Sequence, residues 1–302
     1  MKKMLFVYNP NAGQGRLKAR LSEVLDIFVK AGYDEIMAYP TQSYKDAYRK
    51  VVNMEDGFDM VVCSGGDGTL DEVVTGMMKR GKDRRIPIGY IPTGTTNDFA
   101  TSLGIPKVIL DAADACVYGK PFACDVGDFN HDIFIYVAAF GLFTDVSYQT
   151  DQKLKNVIGQ AAYLMEGMKR LANVPTYHIK ITNGEQVIED EFMIGLITNS
   201  RSVGGVKDIM GKEVDFSDGE FEVTLIRKPK NIADLNSILS SFVLGTFDSE
   251  YVSMFKTSHI ILESEEAIPW TLDGEYGGTH VKAEIINKKQ AVEIMLQWRG
   301  HG

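Results

Sequence analysis

The first 127 residues alternate short apolar stretches with stretches that carry apolar residues at helical spacing. Between the first two apolar stretches, Leu17, Leu21, Val24 and Phe28 recur every three or four residues, which predicts one apolar face of a helix. Alternating strands and helices favour a parallel sheet covered by helices. The stretches that predict strands are KKMLFVYN, EIMAYPT, FDMVVCS and IPIGYIPTG. Further helices are predicted in SYKDAYRKVVN, in TLDEVVTGMMKRG and in two segments after the fourth strand.

From residue 128 onward the pattern changes to short runs rich in Val, Ile, Phe and Thr, separated by turn sequences such as TNGEQ, SDGEF and DGEYGG. Such runs predict β-hairpins and therefore a largely antiparallel, sandwich-like domain. Two helices are predicted to interrupt it, one near residues 151–172 and one over residues 231–247. We therefore predict an α/β domain over residues 1–127 and a β-rich domain over residues 128–302. One alternative has the C-terminal tail pack back on the first domain.

Composition and charge exclude several classes of function. The 302 residues carry a formal net charge of −9, which argues against nucleic acid as the main partner and against strong electrostatic adsorption to anionic membranes. No apolar run reaches the length of a membrane span, and the N-terminal MKKMLFVYNPNAG predicts a first strand rather than a signal peptide. The three cysteines are odd in number and lack metal-ligand spacing, and Cys63 lies in an apolar run, so we expect a buried free thiol there and a reducing, cytoplasmic compartment.

The stretch MVVCSGGDGTLDEVVTGMM, residues 60–78, passes from an apolar run through a glycine-rich loop into a helical pattern. Glycine allows positive φ and lets a ligand approach the backbone, and the N-terminus of the following helix offers N–H groups and partial positive charge. Such a loop can bind phosphate. Asp67 fits there if a divalent cation or a ribose hydroxyl lies between its carboxylate and the phosphate. The loop is neither a P-loop nor G-x-G-x-x-G, and the alternative is a tight turn with a helix cap.

Two more loops with similar composition follow predicted strands. YNPNAGQG, residues 8–15, follows the first strand, and PTGTTNDFA, residues 92–100, follows the fourth. The carboxyl ends of parallel strands lie at one edge of a sheet, where ligands of such folds bind. Three loops of this kind at one edge indicate a nucleotide site. For the third loop, an ordinary N-cap at Asn97 or Asp98 is the alternative.

In this order and spacing, NPNAG, GGDGT and PTGTTNDFA resemble the bacterial soluble diacylglycerol kinase family, which includes kinases of phosphatidylglycerol, sphingosine and ceramide. The resemblance covers nearly the whole chain, because YVAAFGLFTDVS (136–147), NSRSVGG (199–205), SDGEFEV (217–223) and LDGEYGG (272–278) are similar to later landmarks of the family. GGDGT alone also occurs in NAD kinases. Two departures are Ala12, where the family often has serine, and Tyr276, where it often has proline.

The resemblance implies that the first three loops bind ATP, in an active site within the cleft between an α/β domain and a β-rich domain. It also implies an adenosine-side contact for Thr41, at the end of the second strand. By position, the ATP-binding residues implied are Asn9, Pro10, Asn11, Gly13, Gly65, Gly66, Asp67, Gly68, Thr69, Thr93, Gly94, Asn97 and Asp98.

Phosphoryl transfer to an alcohol needs the phosphates held in line with the hydroxyl and a base that takes the proton. The resemblance implies that Glu275 in LDGEYGG is that base, and we count Asp67 with it as a catalytic carboxylate. The alternative for Glu275 is a solvated hairpin tip, since Asp-Gly is a common turn dipeptide.

VDFSDGEFEV holds three carboxylates within six residues, Asp215, Asp218 and Glu220. Hard oxygen ligands of this kind suit Mg²⁺, and the resemblance implies a structural magnesium at this stretch, bound partly through backbone oxygens. The alternative is a solvated acidic hairpin turn. Asp125, in CDVG at the domain junction, either connects this region to the nucleotide or serves as a structural hydrogen-bond acceptor.

The first hypothesis is therefore an ATP- and Mg²⁺-dependent lipid kinase that phosphorylates the free hydroxyl of diacylglycerol to phosphatidic acid. Such an enzyme would be cytoplasmic and would visit the membrane surface peripherally; homodimer formation stays open. The second hypothesis is an NAD kinase, which shares GGDGT, although the adenosine-reading Asn-Glu motif of that family is missing from its expected place. The third is a non-catalytic lipid or nucleotide sensor, which would have no need of Glu275 as a base.

Overall fold

The computed structural model of the protein describes residues 1–141, 175–200, 214–231 and 250–297, with six residues between these ranges: 202, 203, 206, 207, 234 and 238. The helix predicted near residues 151–172 lies outside the described residues, and so does nearly all of the helix predicted over 231–247. The chain divides into two compact units, Met1–Val126 with Lys288–Gly302, and Gly127–Asn287.

Strands and helices alternate through the first unit. Their bounds are β1 (Lys2–Tyr8), α1 (Leu21–Lys30), β2 (Tyr33–Pro40), α2 (Asp46–Val52), β3 (Met60–Gly65), α3 (Asp67–Lys79), β4 (Ile88–Pro92), α4 (Asp98–Leu103) and α5 (Ile109–Tyr118). Short 3-10 helices cover Ala12–Gly15, Lys18–Arg20 and Lys82–Arg84. The next strand, β5 (Lys120–Phe129), begins in this unit and ends in the second.

The sheet of the first unit has the strand order β4-β3-β1-β2, and its neighbouring strands pair in parallel. Every residue of β3 and of β4 is buried, because helices cover this kind of sheet on both faces. Each helix turns a few apolar side chains to the core, for example Val24 and Phe28 of α1. The apolar runs seen in the sequence are thus the buried centre of this sheet.

The second unit is built from strands: β6 (Asp132–Phe134), β7 (Val137–Phe140), β8 (Tyr177–Asn183), β9 (Gln186–Thr198), β10 (Ser202–Val203), β11 (Val206–Lys207), β12 (Phe221–Arg227), β13 (Val252–Thr257), β14 (His259–Leu272) and the start of β15 (Glu275–Leu296). The strand pairs described here are antiparallel. Aromatic side chains fill the core, and Trp270 packs against Phe129 and Phe140 at ring-centroid distances of 4.9 and 5.1 Å. The molecule is therefore β-rich and has two units, as predicted.

The second unit ends at Asn287, and Lys288–Gly302 belong to the first unit, which agrees with the alternative that the C-terminal tail packs back on the first domain. The 22-residue strand β15 begins in the second unit and ends in the first, where Ile294 pairs with Ile88 of β4. A kink marks this passage, since Gln290 has φ 50° and donates its N–H to Oδ1 of Asp125 at 2.7 Å. The apolar pattern continues through β15 without a break, and for this reason the sequence concealed the boundary.

Burial accounts for the three cysteines, Cys63, Cys116 and Cys124, all of which are free thiols inside the protein. It raises the pKa of each thiol, that of Cys116 to about 12, so that the reactive thiolate is suppressed. The cysteines therefore belong to the core. Among the described residues, no helix is long and apolar enough to cross a membrane.

Candidate active site

Three loops of the first unit meet at the carboxyl ends of β1, β3 and β4. The N–H of Asn9 donates to the carbonyl of Ser64 at 2.8 Å. The N–H groups of Thr93 and Gly94 donate to the carbonyl of Gly65 at 2.8 and 3.1 Å. These bonds join the loop after β1 and the loop after β4 to the end of β3, so the structure brings together the three glycine-rich segments that the sequence singled out.

Close approach explains Gly65 and Gly13. A Cβ on Gly65 would collide with the side chain of Thr69, and one on Gly13 would collide with the carbonyl oxygen of Thr93. Gly13 also takes a left-handed conformation, with φ 55°, whereas Gly66 has φ −89°. At Gly65 the segment therefore requires the missing side chain and not a positive φ.

Asp67 is the first residue of α3, yet its carboxylate caps a different helix. Its Oδ2 accepts the N–H of Asp98 at 3.1 Å and its Oδ1 accepts the N–H of Phe99 at 3.4 Å, both in the first turn of α4. Burial raises the pKa of Asp67 to about 6, although these N–H groups oppose the shift. Asp67 thus ties the second loop to the third and is poised to change its charge near neutral pH.

Asn97 occupies the N-cap position of α4 but makes no capping bond with its side chain. It has a left-handed backbone, with φ 55°, and its Nδ2 donates to the carbonyl of Gly94 at 2.9 Å. The hydroxyl of Tyr90 donates to Oδ1 of Asn97 at 3.3 Å. The alternative of an ordinary N-cap at Asn97 is therefore wrong, because Asp67 supplies the cap while Asn97 shapes the loop.

The remaining sequence-predicted residues lie in or beside the loop after β1. The N–H of Thr41 donates to the carbonyl of Tyr8 at 2.9 Å, which places Thr41 beside the first loop. Within that loop, Oδ1 of Asn9 accepts the N–H of Asn11 at 2.9 Å and so forms a side-chain-supported turn around Pro10. Both contacts hold the loop that the resemblance assigns to ATP.

Sequence reasoning missed Arg16, which follows the first glycine-rich loop. Its Nη2 lies 3.3 Å from the carbonyl oxygen of Thr93 and 3.4 Å from that of Gly94, so its guanidinium reaches the third loop. A cation directly after a glycine-rich loop is the signal that could have found it, since phosphate sites combine backbone N–H groups with a basic side chain.

Glu275 is exposed and begins β15 directly after a two-residue turn. Asp273 and Gly274 form this turn with φ 51° and 87°, the left-handed pair typical of a tight hairpin, and Leu272 pairs with Glu275 across it. Locally, Glu275 therefore does stand at a hairpin tip. Asp273 is not solvated, however: only 7% of its surface is exposed.

The acidic stretch after residue 213 uses its carboxylates locally. Oδ1 of Asp215 accepts the N–H and the hydroxyl of Ser217, each at 3.0 Å, and Oδ1 of Asp218 accepts the N–H of Glu220 at 2.9 Å. Oδ2 of Asp218 also lies 3.0 Å from Nζ of Lys256. In the part of the chain that the structure describes, no three carboxylate, histidine or cysteine side chains form a group that could hold a metal ion.

Turn N–H groups and an ammonium group thus contact Asp215 and Asp218, and the structural magnesium at Asp215, Asp218 and Glu220 stays a prediction. A neighbouring carboxylate that the sequence did not reveal, Glu222, is 6% exposed and lies 3.3 Å from Nζ of Lys256. Burial raises the pKa of Glu222 to about 7, and Lys256 opposes this rise. Lys256 is thus a counter-charge shared by Asp218 and Glu222.

Asp125 is 1% exposed, and it accepts the N–H of Gln290 at the kink of β15. A buried acceptor at a left-handed residue stabilises the local backbone, because the N–H would otherwise be costly to bury. This geometry favours the structural interpretation of Asp125 over a role in joining metal and nucleotide.

Comparison with known proteins shows to which family the chain belongs. Residues 3–129 match the family described as "Diacylglycerol kinase catalytic domain", and residues 137–296 match "YegS C-terminal NAD kinase beta sandwich-like domain". The diacylglycerol kinase of Bacillus subtilis (strain 168) is 33% identical over 98% of this chain and 97% of its own length. That of Staphylococcus carnosus (strain TM300) is 35% identical over 97% and 94%.

A solved structure is similar over the same extent. The crystal structure of a diacylglycerol kinase from Bacillus anthracis strain Sterne has a TM-score of 0.82 and 25% identity, and the match covers 98% of this chain and 97% of that one. With two units and clustered glycine-rich loops, these matches define the protein as a lipid kinase. The chain belongs to the diacylglycerol kinase family, which confirms the resemblance found in the sequence.

Proposed function

We propose that the protein transfers the γ-phosphoryl group of ATP, bound as its magnesium complex, to the free hydroxyl of diacylglycerol and so forms phosphatidic acid. The observation that carries this proposal is the convergence of the three glycine-rich loops at one edge of the first unit's sheet. Family membership supports the lipid acceptor, because the relatives from Bacillus subtilis and Staphylococcus carnosus are named diacylglycerol kinase.

ATP would lie against the three loops. The N-terminus of α3, which begins at Asp67, offers the partial positive charge that favours an anion, while the N–H of Thr69 donates to the carbonyl of Gly66 at 3.0 Å. Arg16 would add a guanidinium for the phosphate oxygens, and Thr41 would face the adenosine. The other proposed ATP-binding residues are Asn9, Pro10, Asn11, Gly13, Gly65, Gly66, Thr93, Gly94, Asn97 and Asp98.

Glu275 would act as the general base. An exposed carboxylate on a defined turn can accept the proton of an alcohol as the phosphoryl group moves to it. The magnesium ion in this proposal comes with ATP and neutralises phosphate charge. A structural metal at Asp215, Asp218 and Glu220, and an active site in the cleft between the two domains, stay predictions.

A long-chain acceptor would bring the enzyme to a membrane surface. We therefore propose peripheral association of a cytoplasmic enzyme with the bilayer. A protein with a net charge of −9 is repelled by anionic headgroups. In this proposal the enzyme therefore binds the membrane through the neutral diacylglycerol. Homodimer formation stays a prediction.

Labelled ATP and a panel of acceptors test the reaction. The full chain is incubated with vesicles that contain diacylglycerol, phosphatidylglycerol, sphingosine or ceramide, and the expected product is phosphatidic acid. Glu275→Gln should lower kcat by at least about 100-fold while ATP binding persists. Glu185→Gln is a matched control, because Glu185 is exposed and also follows a left-handed glycine, Gly184 with φ 58°. Absence of transfer to every lipid would overturn the proposed function.

A second candidate function is phosphorylation of NAD. It is favoured by the match of residues 137–296 to an NAD kinase beta sandwich-like domain. Incubation with NAD and ATP, followed by detection of NADP, separates it from the lipid reaction. If the protein is a non-catalytic sensor, the wild type and Glu275→Gln should bind ATP or lipid with equal affinity. Neither protein should then turn over ATP.

A further inference from the structure

The carboxylate of Asp273 binds three consecutive backbone N–H groups. Its Oδ2 accepts the N–H of Ile135 at 2.6 Å, and its Oδ1 accepts those of Tyr136 and Val137 at 3.0 and 2.9 Å. These donors lie at and just before the start of β7, more than 130 positions away in the sequence. Asp273 is 7% exposed, so hydrogen bonds within the protein replace most of the water around its carboxylate.

The backbone of Asp273 is held by the same segment. Its N–H donates to the carbonyl of Val137 at 2.9 Å, and its own carbonyl accepts the hydroxyl of Tyr136 at 3.0 Å. The residue has φ 51° and is followed by Gly274 with φ 87°. A left-handed conformation at a residue other than glycine is costly and persists where surrounding contacts enforce it. Here five hydrogen bonds enforce it.

We propose that Asp273 is a positioning residue for Glu275. A two-residue hairpin tip would ordinarily move, whereas this one is bound to the start of β7 through both the side chain and the backbone of its first residue. Glu275 is only two residues further along the chain. The bonds that fix the backbone of Asp273 therefore also restrict the position of the Glu275 Cα. A base must lie within hydrogen-bond reach of the proton that it removes, and small misplacements are costly in rate. The inference rests on the proposed function of Glu275.

Asparagine cannot replace Asp273 in this role. A carboxylate presents two acceptor oxygens, whereas an amide presents one oxygen and an NH₂ group that only donates. In Asp273→Asn, at least one of the three N–H groups from Ile135, Tyr136 and Val137 therefore loses its acceptor. The volume of the side chain stays the same, so the variant tests the hydrogen bonds rather than the packing.

The experiment compares the full-length wild type, Asp273→Asn and Asp128→Asn. Asp128 is the matched control, because its Oδ1 also accepts a turn N–H, that of His131 at 2.9 Å, in the β5–β6 hairpin. For Asp273→Asn we expect kcat with diacylglycerol to fall by roughly 10- to 100-fold, with KM for ATP within about twofold of wild type. Asp128→Asn should leave both unchanged.

Two readouts separate positioning from a general structural role. The loss in Asp273→Asn should fall on kcat and not on KM for ATP, because only the position of the base changes. Hydrogen exchange should become faster at the amides of Ile135, Tyr136 and Val137 in Asp273→Asn and stay unchanged in Asp128→Asn. Exchange reports on the turn whether or not a lipid is phosphorylated.

Each outcome bears on the proposal. Unchanged kcat or unchanged exchange in Asp273→Asn overturns it while leaving the lipid kinase proposal intact. A wild type that phosphorylates no lipid overturns the proposed function and the catalytic part of this inference together. If Asp273→Asn does not fold, Tyr136→Phe is the second variant, because it removes the hydroxyl that donates to the Asp273 carbonyl. We expect a smaller loss of kcat, about threefold or more, at unchanged KM for ATP; no loss overturns the proposal.

Discussion

At the scale of single residues, Asp67 combines a candidate catalytic role with a cost in stability. Burial raises the pKa of its carboxyl to about 6, from 3.8 for an ordinary aspartate. Because the folded-state pKa is the higher one, the folded protein holds this proton more tightly than the unfolded chain does. The corresponding stabilisation is fully present below about pH 4 and is lost as the pH rises through about 6. At neutral pH the charged Asp67 therefore weakens the fold.

We expect Asp67→Asn to remove this pH dependence. Between about pH 4.5 and about pH 7, the free energy of unfolding of the wild type should fall by about 2 kcal/mol more than that of the variant. Urea unfolding at the two pH values, in buffer without divalent cations, measures this difference. Asp83→Asn, at an exposed aspartate, should follow the wild type. Identical pH profiles for Asp67→Asn and wild type would show that Asp67 does not titrate in this range.

The sequence predicted only some of the residues of the candidate site. The sequence identified Asp67 and Glu275 as candidate site residues because of the short motifs in which they lie. It did not identify Asp273 or Arg16 as candidates. The N–H donors of Asp273 lie 136 to 138 positions away, and the carbonyls that Arg16 contacts lie 77 and 78 positions away. Contacts over such separations leave no local pattern, so only the folded chain could show which groups these two residues contact.

At the scale of elements, the candidate nucleotide site depends on loops that touch one another. A Cβ on Gly94 would lie 2.5 Å from Cα of Gly66 and 2.7 Å from Oδ1 of Asn97. The second and third loops therefore pack backbone against backbone, and any side chain at Gly94 would separate them. This packing sets the spacing of the N–H groups that we propose for the phosphates.

Gly94→Ala should accordingly weaken ATP binding. We expect KM for ATP to rise by about tenfold or more, because forcing the loops apart by even part of an ångström misaligns their N–H groups. Steady-state kinetics with varied ATP checks this, and calorimetry with a non-hydrolysable analogue gives the affinity directly. Gly81→Ala is the control, since it has an extended backbone with φ −54° and no atom within 4 Å of the added Cβ. Equal KM values for the two variants would argue against the packing role of Gly94.

The sequence predicted strands and helices correctly where the apolar pattern was continuous. It misplaced the start of a helix where residues with positive φ precede that helix. The run FDMVVCS became the fully buried β3. The helical pattern starting at Leu17 became an α-helix only from Leu21 onward, after a 3-10 turn at Lys18–Arg20. Gly13, Gln14 and Gly15 all have positive φ just before it, and left-handed residues delay the start of a regular helix. Side-chain periodicity carries no information about that conformation.

At the scale of the whole molecule, the end of the chain stabilises the unit in which the chain begins. Ile294 is fully buried next to β4, whereas Val281, earlier on the same strand, is 54% exposed. Ile294→Ala should lower the free energy of unfolding by about 2–4 kcal/mol, since it leaves a cavity in the core. Val281→Ala should change it by less than about 0.5 kcal/mol. Urea unfolding compares the two, and equal effects would mean that the end of β15 does not support the first unit.

Local pattern was enough to establish the alternation of strands and helices in the first unit, the hairpin-rich second half and the family, because each is written in neighbouring residues. Folding alone settled which carboxylates are buried, which helix Asp67 caps, where the second unit ends and what holds the turn before Glu275. Those properties arise from contacts between distant segments and from the loss of water around them, and neither is encoded in the order of adjacent residues.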